Sequence, residues 1–152
     1  MIQLPPDFRE FLQLLNSNGI EYLVVGGYAV TYHGSPRATA DLDIWVAVNA
    51  QNAAKLIDAL RAFGFTGKPI SPDFFLKPHQ IVRIGMPPLR IELLTTISGV
   101  GFADCYARRK TDILQGVEVS FISLDDLKTN KKAAGRLKDL TDLQSLERGK
   151  QR

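Results

Sequence analysis

An apolar, β-branched run over Ile20–Val25 ends directly at the pair Gly26-Gly27 and passes into a segment of helical length, Tyr28–Gly34. Such a run predicts a buried strand, and the two glycines permit a tight turn into the next helix. A second strand is indicated at Asp41–Val48, which alternates at first and then becomes apolar. Strands that lead into helices in this way bury a sheet against helices, so the pattern predicts an α/β or α+β fold.

The other segments continue this alternation of helices and strands. Helical spacing and stop signals predict a helix from Asp7 to Asn18-Gly19 with Phe8, Phe11, Leu12 and Leu15 on one stripe, and further helices at Gln51–Phe63, at Phe102–Lys110, from Ser123 through Ala134, and after Gly135. Apolar runs predict strands at Gln80–Ile84 and Leu89–Thr95, which form a hairpin among Pro69, Pro72, Pro78, Pro87 and Pro88, and at Val117–Ile122. The resulting expectation is a mixed β-sheet flanked by helices, with C-terminal helices from about residue 123.

Composition narrows the class of protein. The chain has 152 residues, of which 45% are hydrophobic and 23% charged, so we expect a single domain over residues 1–152. No segment approaches the ~20 apolar residues of a membrane span, and the first residues lack the features of a signal peptide. We therefore expect a cytoplasmic protein without a membrane partner. The single cysteine, Cys105, excludes a disulfide framework or a zinc ribbon and is predicted to be a packing residue.

The basic excess lies in the C-terminal third. Residues 1–100 carry eight basic and eight acidic side chains, whereas residues 101–152 carry eleven and eight, which accounts for the net charge of +3. Five of these cations fall within residues 128–138, which contain no acid: Lys128, Lys131, Lys132, Arg136 and Lys138. The run is compatible with contacts to phosphates or an RNA backbone, and equally with a solvated helix face.

Two carboxylates open the second strand. Side chains at positions i and i+2 of a strand share one face at a spacing of roughly 7 Å, so Asp41 and Asp43 point the same way. Glu92 lies in the middle of another apolar strand and would join them if the two strands were neighbours. Three converging carboxylates suit a hard cation such as Mg²⁺ or Mn²⁺. The alternative is that all three lie on a solvated face of the sheet.

Two nearby features indicate a phosphate ligand. Gly26-Gly27 stands at a turn from strand to helix, where the absence of Cβ atoms allows a phosphate to approach the backbone. Arg37, four residues before Asp41, has a side chain suited to bidentate phosphate contact. The combination of glycine turn, arginine and acid cluster indicates a polyphosphate bound together with a metal ion.

These residues together resemble the DNA polymerase beta-like nucleotidyltransferase superfamily. The resemblance rests on Gly26-Gly27, the segment Tyr28–Gly34, the segment Arg37–Ile44, Glu92 and the segment Asn130–Leu140, and it runs from about residue 8 to residue 148. Within the superfamily, the chain resembles the small bacterial and archaeal nucleotidyltransferases related to the toxins of type IV toxin-antitoxin systems. The resemblance implies a nucleotidyltransferase-type mixed sheet and transfer of an NMP from an NTP to an acceptor hydroxyl, with release of pyrophosphate.

The resemblance also implies roles for individual residues. Asp41, Asp43 and Glu92 would be the catalytic residues and would hold two Mg²⁺ ions, with Mn²⁺ as a substitute, and Glu92 would help deprotonate the acceptor. The nucleotide-binding set would consist of Gly26, Gly27, Tyr28, Arg37 and Lys131. In place of the Gly-Ser pair that is more common in the superfamily, the turn here is Gly-Gly, so a hydroxyl contact to phosphate is missing.

Several alternatives stay open at this point. The acceptor could be a tRNA, a protein or a small molecule, and a cognate antitoxin or a second copy of the chain could be a partner. A noncatalytic descendant that binds a nucleotide or a partner protein, and a plain nucleic-acid-binding module, are competing functions. The aromatic side chains of Tyr28, Tyr32 and Trp45 could stack a base or pack in the core, and His33 could contact a nucleotide or cap its helix.

Overall fold

The computed structural model describes residues 2–65, 70–85 and 88–150; Pro69 and Pro87 of the predicted hairpin region lie outside them. The helices in this part of the chain are α1 (Pro6–Ser17), α2 (Gly26–Tyr32), α3 (Ala50–Ala62), α4 (Phe102–Ala107), α5 (Leu124–Ala134) and α6 (Leu137–Lys150), with a short 3₁₀ helix at Pro72–Leu76. The strands are β1 (Tyr22–Val25), β2 (Asp41–Val46), β3 (Ile81–Ile84), β4 (Arg90–Leu94), β5 (Lys110–Leu114) and β6 (Val117–Phe121).

The strands form one mixed sheet in the order β3-β4-β2-β1-β6-β5. The pairs β1–β2, β3–β4 and β5–β6 are antiparallel, whereas β2–β4 and β1–β6 are parallel. The predicted mixed sheet flanked by helices is thus confirmed, as is the hairpin of β3 and β4. Because β2 and β4 are neighbours, the strand that carries Glu92 lies beside the strand that carries Asp41 and Asp43.

The apolar stripes and capping residues that predict the helices in the sequence also stabilise them in the structure. The apolar stripe of α1 is buried in the core at Phe8, Phe11, Leu12 and Leu15. The Ser123 hydroxyl accepts a hydrogen bond from the backbone N–H of Asp126 and caps α5, whose other end stops at Gly135 in the left-handed conformation. No helix in the described ranges is both long enough and apolar enough to cross a bilayer.

One predicted helix ends early and one strand was not predicted. The helix expected over Phe102–Lys110 ends at Ala107, and the chain enters β5 at Lys110. Strand β5 is one of the two edge strands of the sheet, and all of its side chains except Leu114 are exposed. Because neither face of β5 is buried, its sequence shows no alternation of apolar and polar residues, so periodicity gave no signal for it.

Candidate functional site

Three carboxylates lie on one face of the sheet where β2 meets β4. Asp43 is directly opposite Glu92 in the parallel register, and Asp41 is two residues before Asp43 on the same strand. Residues that face each other across a ladder, and residues two apart along a strand, share a face of the sheet. Leu42 and Ile91, which alternate with the acids, are buried on the opposite face. The register therefore brings the three predicted acids together.

Asp43 is the most perturbed of these groups. Burial, followed by the negative charges of Glu92 and Asp41, raises the pKa of Asp43 to about 7. The glycine turn approaches the same carboxylate, since a Cβ atom at Gly26 would collide with Asp43 Oδ2. Gly26 also has a φ of +65°, which a residue with a side chain adopts only with strain. The turn and the acid thus require glycine at this position.

The two flanking carboxylates contact arginines. Arg83 Nε lies 3.1 Å from Glu92 Oε1, and the two residues face each other across β3 and β4. Arg90 Nε lies 3.6 Å from Asp41 Oδ1 and makes an ion-pair contact without a hydrogen bond. The negative charges of Glu92 and Asp41 are therefore partly offset by arginines, whereas Asp43, which neighbours both acids, has a raised pKa.

The donor set matches the chemistry of a hard divalent cation. The oxygens of Asp41, Asp43 and Glu92 share one face of the sheet, and a cation beside Asp43 would oppose the burial and the repulsion that together raise its pKa. Among the described residues, no group of three or more His, Cys, Asp or Glu side chains is arranged to hold a metal ion in its present conformation. Metal binding by the three acids would require their oxygens to move closer together than they are in this conformation.

A cavity of about 430 Å³ adjoins Asp43 and the glycine turn, a size that suits a small ligand. Its walls come from the turn, from the loop after β4 and from the two C-terminal helices, and include Val25, Gly26, Gly27, Arg37, Asp43, Thr96, Ile97, Ser98, Asn130, Lys131, Arg136, Lys138 and Asp139. Asn130 Nδ2 donates to the Ser98 backbone oxygen at 2.9 Å and ties the loop to α5. Three of the predicted nucleotide-binding residues and the central acid thus share one cavity with Lys131.

Three of the cations that line this cavity contact two buried carboxylates of α6. Lys131 Nζ lies 3.4 Å from Asp139 Oδ1 and 3.1 Å from Asp142 Oδ2. Arg37 Nε lies 3.1 Å from Asp142 Oδ1, and Arg136 Nε lies 2.7 Å from Asp139 Oδ2. Burial acts to raise the pKa of Asp139, but the hydrogen bond from Arg136 and the charge of Lys131 lower it on balance. Arg37, Lys131 and Arg136 are therefore linked into one ionic network.

This network decides an alternative that the sequence left open for the basic segment. Lys131 is only 5% exposed and so does not lie on a solvated helix face. Asp142 lies four residues after Lys138 on the same helix, but it contacts Arg37 and Lys131 of other segments. Lys128, in contrast, makes a contact of the ordinary surface kind, 3.4 Å from the exposed Glu147.

The aromatic candidates are packing residues. Tyr28 is buried with its ring edge-on to Phe8 at 5.8 Å, away from the cavity wall. Trp45 packs edge-on against Phe102, and Tyr32 stacks on Phe121 at a centroid distance of 3.9 Å.

The histidine and the cysteine also have structural partners. His33 ends α2, and its Nε2 lies 2.7 Å from the Ile122 backbone oxygen. Burial lowers the pKa of His33, which favours the neutral ring. Cys105 is buried and unpaired, as expected of a packing residue.

Sequence reasoning missed Asp139, Asp142, Arg83 and Arg90. The spacing of Asp139, Asp142 and Leu146 at i, i+3 and i+7 places them on one helix face, and all three are buried. Two acids on the same face as a leucine were the available signal for an internal ionic contact. For Arg83, the signal was its place in a strand that pairs with the strand of Glu92.

Solved structures of nucleotidyltransferases share this fold. An antigenic nucleotidyltransferase-like protein from Paracoccidioides brasiliensis matches 91% of this chain and 72% of its own, with a TM-score of 0.55 and 20% identity. The lincosamide antibiotic adenylyltransferase LnuA, with lincomycin bound, matches 95% of this chain and 96% of its own, with a TM-score of 0.56 and 14% identity. A candidate nucleotidyltransferase from Thermotoga maritima matches 92% and 88%, with a TM-score of 0.55 and 15% identity. No protein-family model and no curated protein matches the sequence. The predicted nucleotidyltransferase fold is confirmed.

Proposed function

We propose that the chain is a Mg²⁺-dependent nucleotidyltransferase that transfers an NMP from an NTP to an acceptor hydroxyl and releases pyrophosphate. The observation that carries this proposal is the cavity in which Gly26, Gly27, Arg37 and Lys131 surround the central acid, Asp43. The shared fold supports it. In this proposal residues 1–152 act as one domain in the cytoplasm, and the C-terminal helices form one wall of the nucleotide site.

The three acids would have distinct roles. Asp41 and Asp43 would hold the metal bound to the nucleotide, and Glu92 would hold a second ion and help deprotonate the acceptor hydroxyl. When bound, Mg²⁺ or Mn²⁺ stabilises the negative charge that develops on the phosphate oxygens. Arg83 and Arg90 would offset part of the negative charge of the flanking carboxylates, since each lies within ion-pair distance of one of them.

The triphosphate would lie against the glycine turn. Gly27 lines the cavity, and a Cβ there would lie 2.7 Å from Thr39 Oγ1, so the close packing of Thr39 against the turn requires glycine at this position. Arg37 and Lys131 would offset the negative charge of the triphosphate. They would also stabilise the charge that develops on the leaving pyrophosphate. The ring of Tyr28 is buried against Phe8. Any contact of Tyr28 with the nucleotide would therefore come from its backbone, which directly follows the glycine turn.

LnuA and the type IV toxins support different classes of acceptor. LnuA is named an adenylyltransferase of lincosamide antibiotics, which supports a small-molecule hydroxyl. The resemblance to type IV toxins supports a tRNA or protein hydroxyl and a cognate antitoxin as partner. A second copy of the chain could complete the acceptor side.

The test is calorimetric titration of the four NTPs, with and without Mg²⁺, into the wild type and into the double variant Asp41→Asn/Asp43→Asn. We expect Mg²⁺-dependent binding of at least one NTP that is lost in the double variant. Asp58→Asn is the matched control, because Asp58 is an exposed acid of α3. Equal NTP binding by the wild type and the double variant, or none by the wild type, would contradict the proposal.

A noncatalytic nucleotide-binding protein is the second candidate. The ion pairs of Glu92 with Arg83 and of Asp41 with Arg90 favour it, because they give the acids partners in the absence of metal. The two functions differ in whether label moves from an α-³²P NTP to RNA, protein or small molecules of a cell extract. Mg²⁺-dependent transfer that Glu92→Gln abolishes supports the enzyme. NTP binding without transfer to any of the three classes supports the noncatalytic protein.

A further inference from the structure

We propose that Asp142 is a positioning residue that orients Arg37 toward the glycine turn. The inference rests on the proposed function and assigns a role in it to α6. It is carried by the contacts of Arg37, which join α6 on one side and Gly27 on the other.

Asp142 contacts Arg37 at the inner nitrogen of the guanidinium group. Asp142 Oδ1 lies 3.1 Å from Arg37 Nε. Arg37 Nη2 points at the turn, since a Cβ atom on Gly27 would lie 3.1 Å from it. Arginine has five N–H donors in a fixed planar fork, so a carboxylate that makes an ion-pair contact at Nε restrains the guanidinium group and leaves the terminal amino groups for another anion.

The carboxylate is itself buried. Asp142 is 5% exposed, and its other oxygen lies 3.1 Å from the buried Lys131 Nζ, an ion-pair contact without a hydrogen bond. Leu146, one turn further along α6, is 2% exposed and fixes the same helix face in the core. Arg37 alone would be free to move, because its side chain is 38% exposed and lies in the loop between α2 and β2.

Holding the arginine in advance strengthens anion binding. Immobilising a long side chain costs conformational entropy, and a site that has already ordered that side chain binds its ligand more tightly. Asp142 does not compete for the phosphate-facing donors, because its contact to Arg37 is at Nε. The net effect of Asp142 on a polyphosphate is therefore favourable, although both carry negative charge.

The probe is inorganic tripolyphosphate, titrated calorimetrically without Mg²⁺ into the full chain. We expect Asp142→Asn to weaken tripolyphosphate binding about tenfold, and Arg37→Gln to weaken it by a similar factor. If Asp142 acts through Arg37, the double variant Asp142→Asn/Arg37→Gln is weakened by less than the product of the two. The matched control is Glu147→Gln, which removes another α6 carboxylate paired with an α5 lysine, Lys128, and leaves binding unchanged.

Arg37→Lys keeps the proposal testable if Asp142→Asn does not fold, which the thermal transition of each variant reveals. Lysine keeps the charge but lacks the fork that reaches both Asp142 and the turn, so it should bind tripolyphosphate about as weakly as Arg37→Gln. Restoration of binding by Asp142→Glu would support the role.

Three results would overturn the inference. The first is unchanged or tighter binding of tripolyphosphate by Asp142→Asn, and the second is wild-type affinity in Arg37→Lys. The third is a double variant Asp142→Asn/Arg37→Gln whose loss of affinity equals the product of the two single losses. If the wild type binds tripolyphosphate and these results appear, the nucleotide site itself stands. If the wild type binds neither tripolyphosphate nor any Mg²⁺-NTP, the proposed function and the inference are both wrong.

Discussion

At the scale of single residues, Asp43 shows how neighbouring charges set a side chain's behaviour. Burial and the charges of Glu92 and Asp41 act in the same direction on its pKa and raise it from 3.8 to about 7. A carboxyl group with a raised pKa in the folded state keeps a proton that the unfolded chain releases. Ionisation of Asp43 therefore opposes folding when no cation is present.

This gives a prediction for the free energy of unfolding. In metal-free buffer, the contribution of Asp43 falls as the pH rises from about 4 to about 7, because the folded state binds more protons than the unfolded state across that range. Asp43→Asn should remove this fall and raise Tm by a few degrees at pH 8, since about 1 kcal/mol corresponds to about 2–4 °C in a domain of this size.

The measurement is thermal unfolding of both proteins at several pH values in EDTA. The difference in Tm between Asp43→Asn and the wild type should be small at pH 4 and grow toward pH 8. A difference that stays constant with pH would show that the Asp43 carboxyl group is not perturbed.

At the scale of elements, the strand-turn-helix unit of β1 and α2 offers a sharp test of the phosphate site. Gly27→Ala places a Cβ 2.7 Å from Thr39 Oγ1 and 3.1 Å from Arg37 Nη2, and should weaken NTP binding at least tenfold. Gly101→Ala is the control, because a Cβ there meets nothing within 4 Å and its φ is −105°. Calorimetric NTP affinities of the two variants check the prediction, and equal affinities would contradict it.

The helix pair α5 and α6 is expected to depend on one lysine. Lys131→Met leaves the buried Asp139 and Asp142 without their shared partner, and loss of one member of a buried ion pair costs about 3–5 kcal/mol. Because Arg136 and Arg37 still contact these acids, we expect the lower end, about 3 kcal/mol, in urea unfolding. Lys132→Met, at the exposed neighbouring position, should change stability by less than about 0.5 kcal/mol. Similar losses in both variants would show that the network contributes nothing specific.

The elements also show what sequence can and cannot predict. Apolar spacing and capping residues act locally, so α1, α3, α5 and the strands with a buried face were predicted. The exposed edge strand β5 has no such pattern and was missed. Arg37 and Asp142 are far apart in sequence, and only the docking of α6 brings them into contact. The acids were predicted from their pattern on two strands, whereas the arginines that contact them depend on the pairing of β3, β4 and β2.

At the scale of the whole molecule, a ligand of the folded state raises its stability. A ligand at a hundred times its Kd adds about 2.7 kcal/mol, which corresponds to a Tm increase of about 5–10 °C at this size. We expect saturating Mg²⁺-NTP to raise the Tm of the wild type by this amount and EDTA to abolish the rise. Asp41→Asn/Asp43→Asn should show no such rise. An equal rise in Tm in EDTA would show that the nucleotide binds without metal or at another site.

The central strand β1 has consequences for the order in which the chain folds. It pairs with β2, which follows it closely, and with β6, where Val24 faces Phe121 from 97 positions further along the sequence. Closing a long loop loses chain entropy before its contacts form, and pairings between distant segments slow folding. We therefore expect the part of the sheet formed by β1, β2, β4 and β3 to assemble before β5 and β6 join it. Helices α5 and α6 follow β6 in the sequence, so we expect the folding chain to bring Asp41, Asp43 and Glu92 together before Lys131 of α5 reaches them.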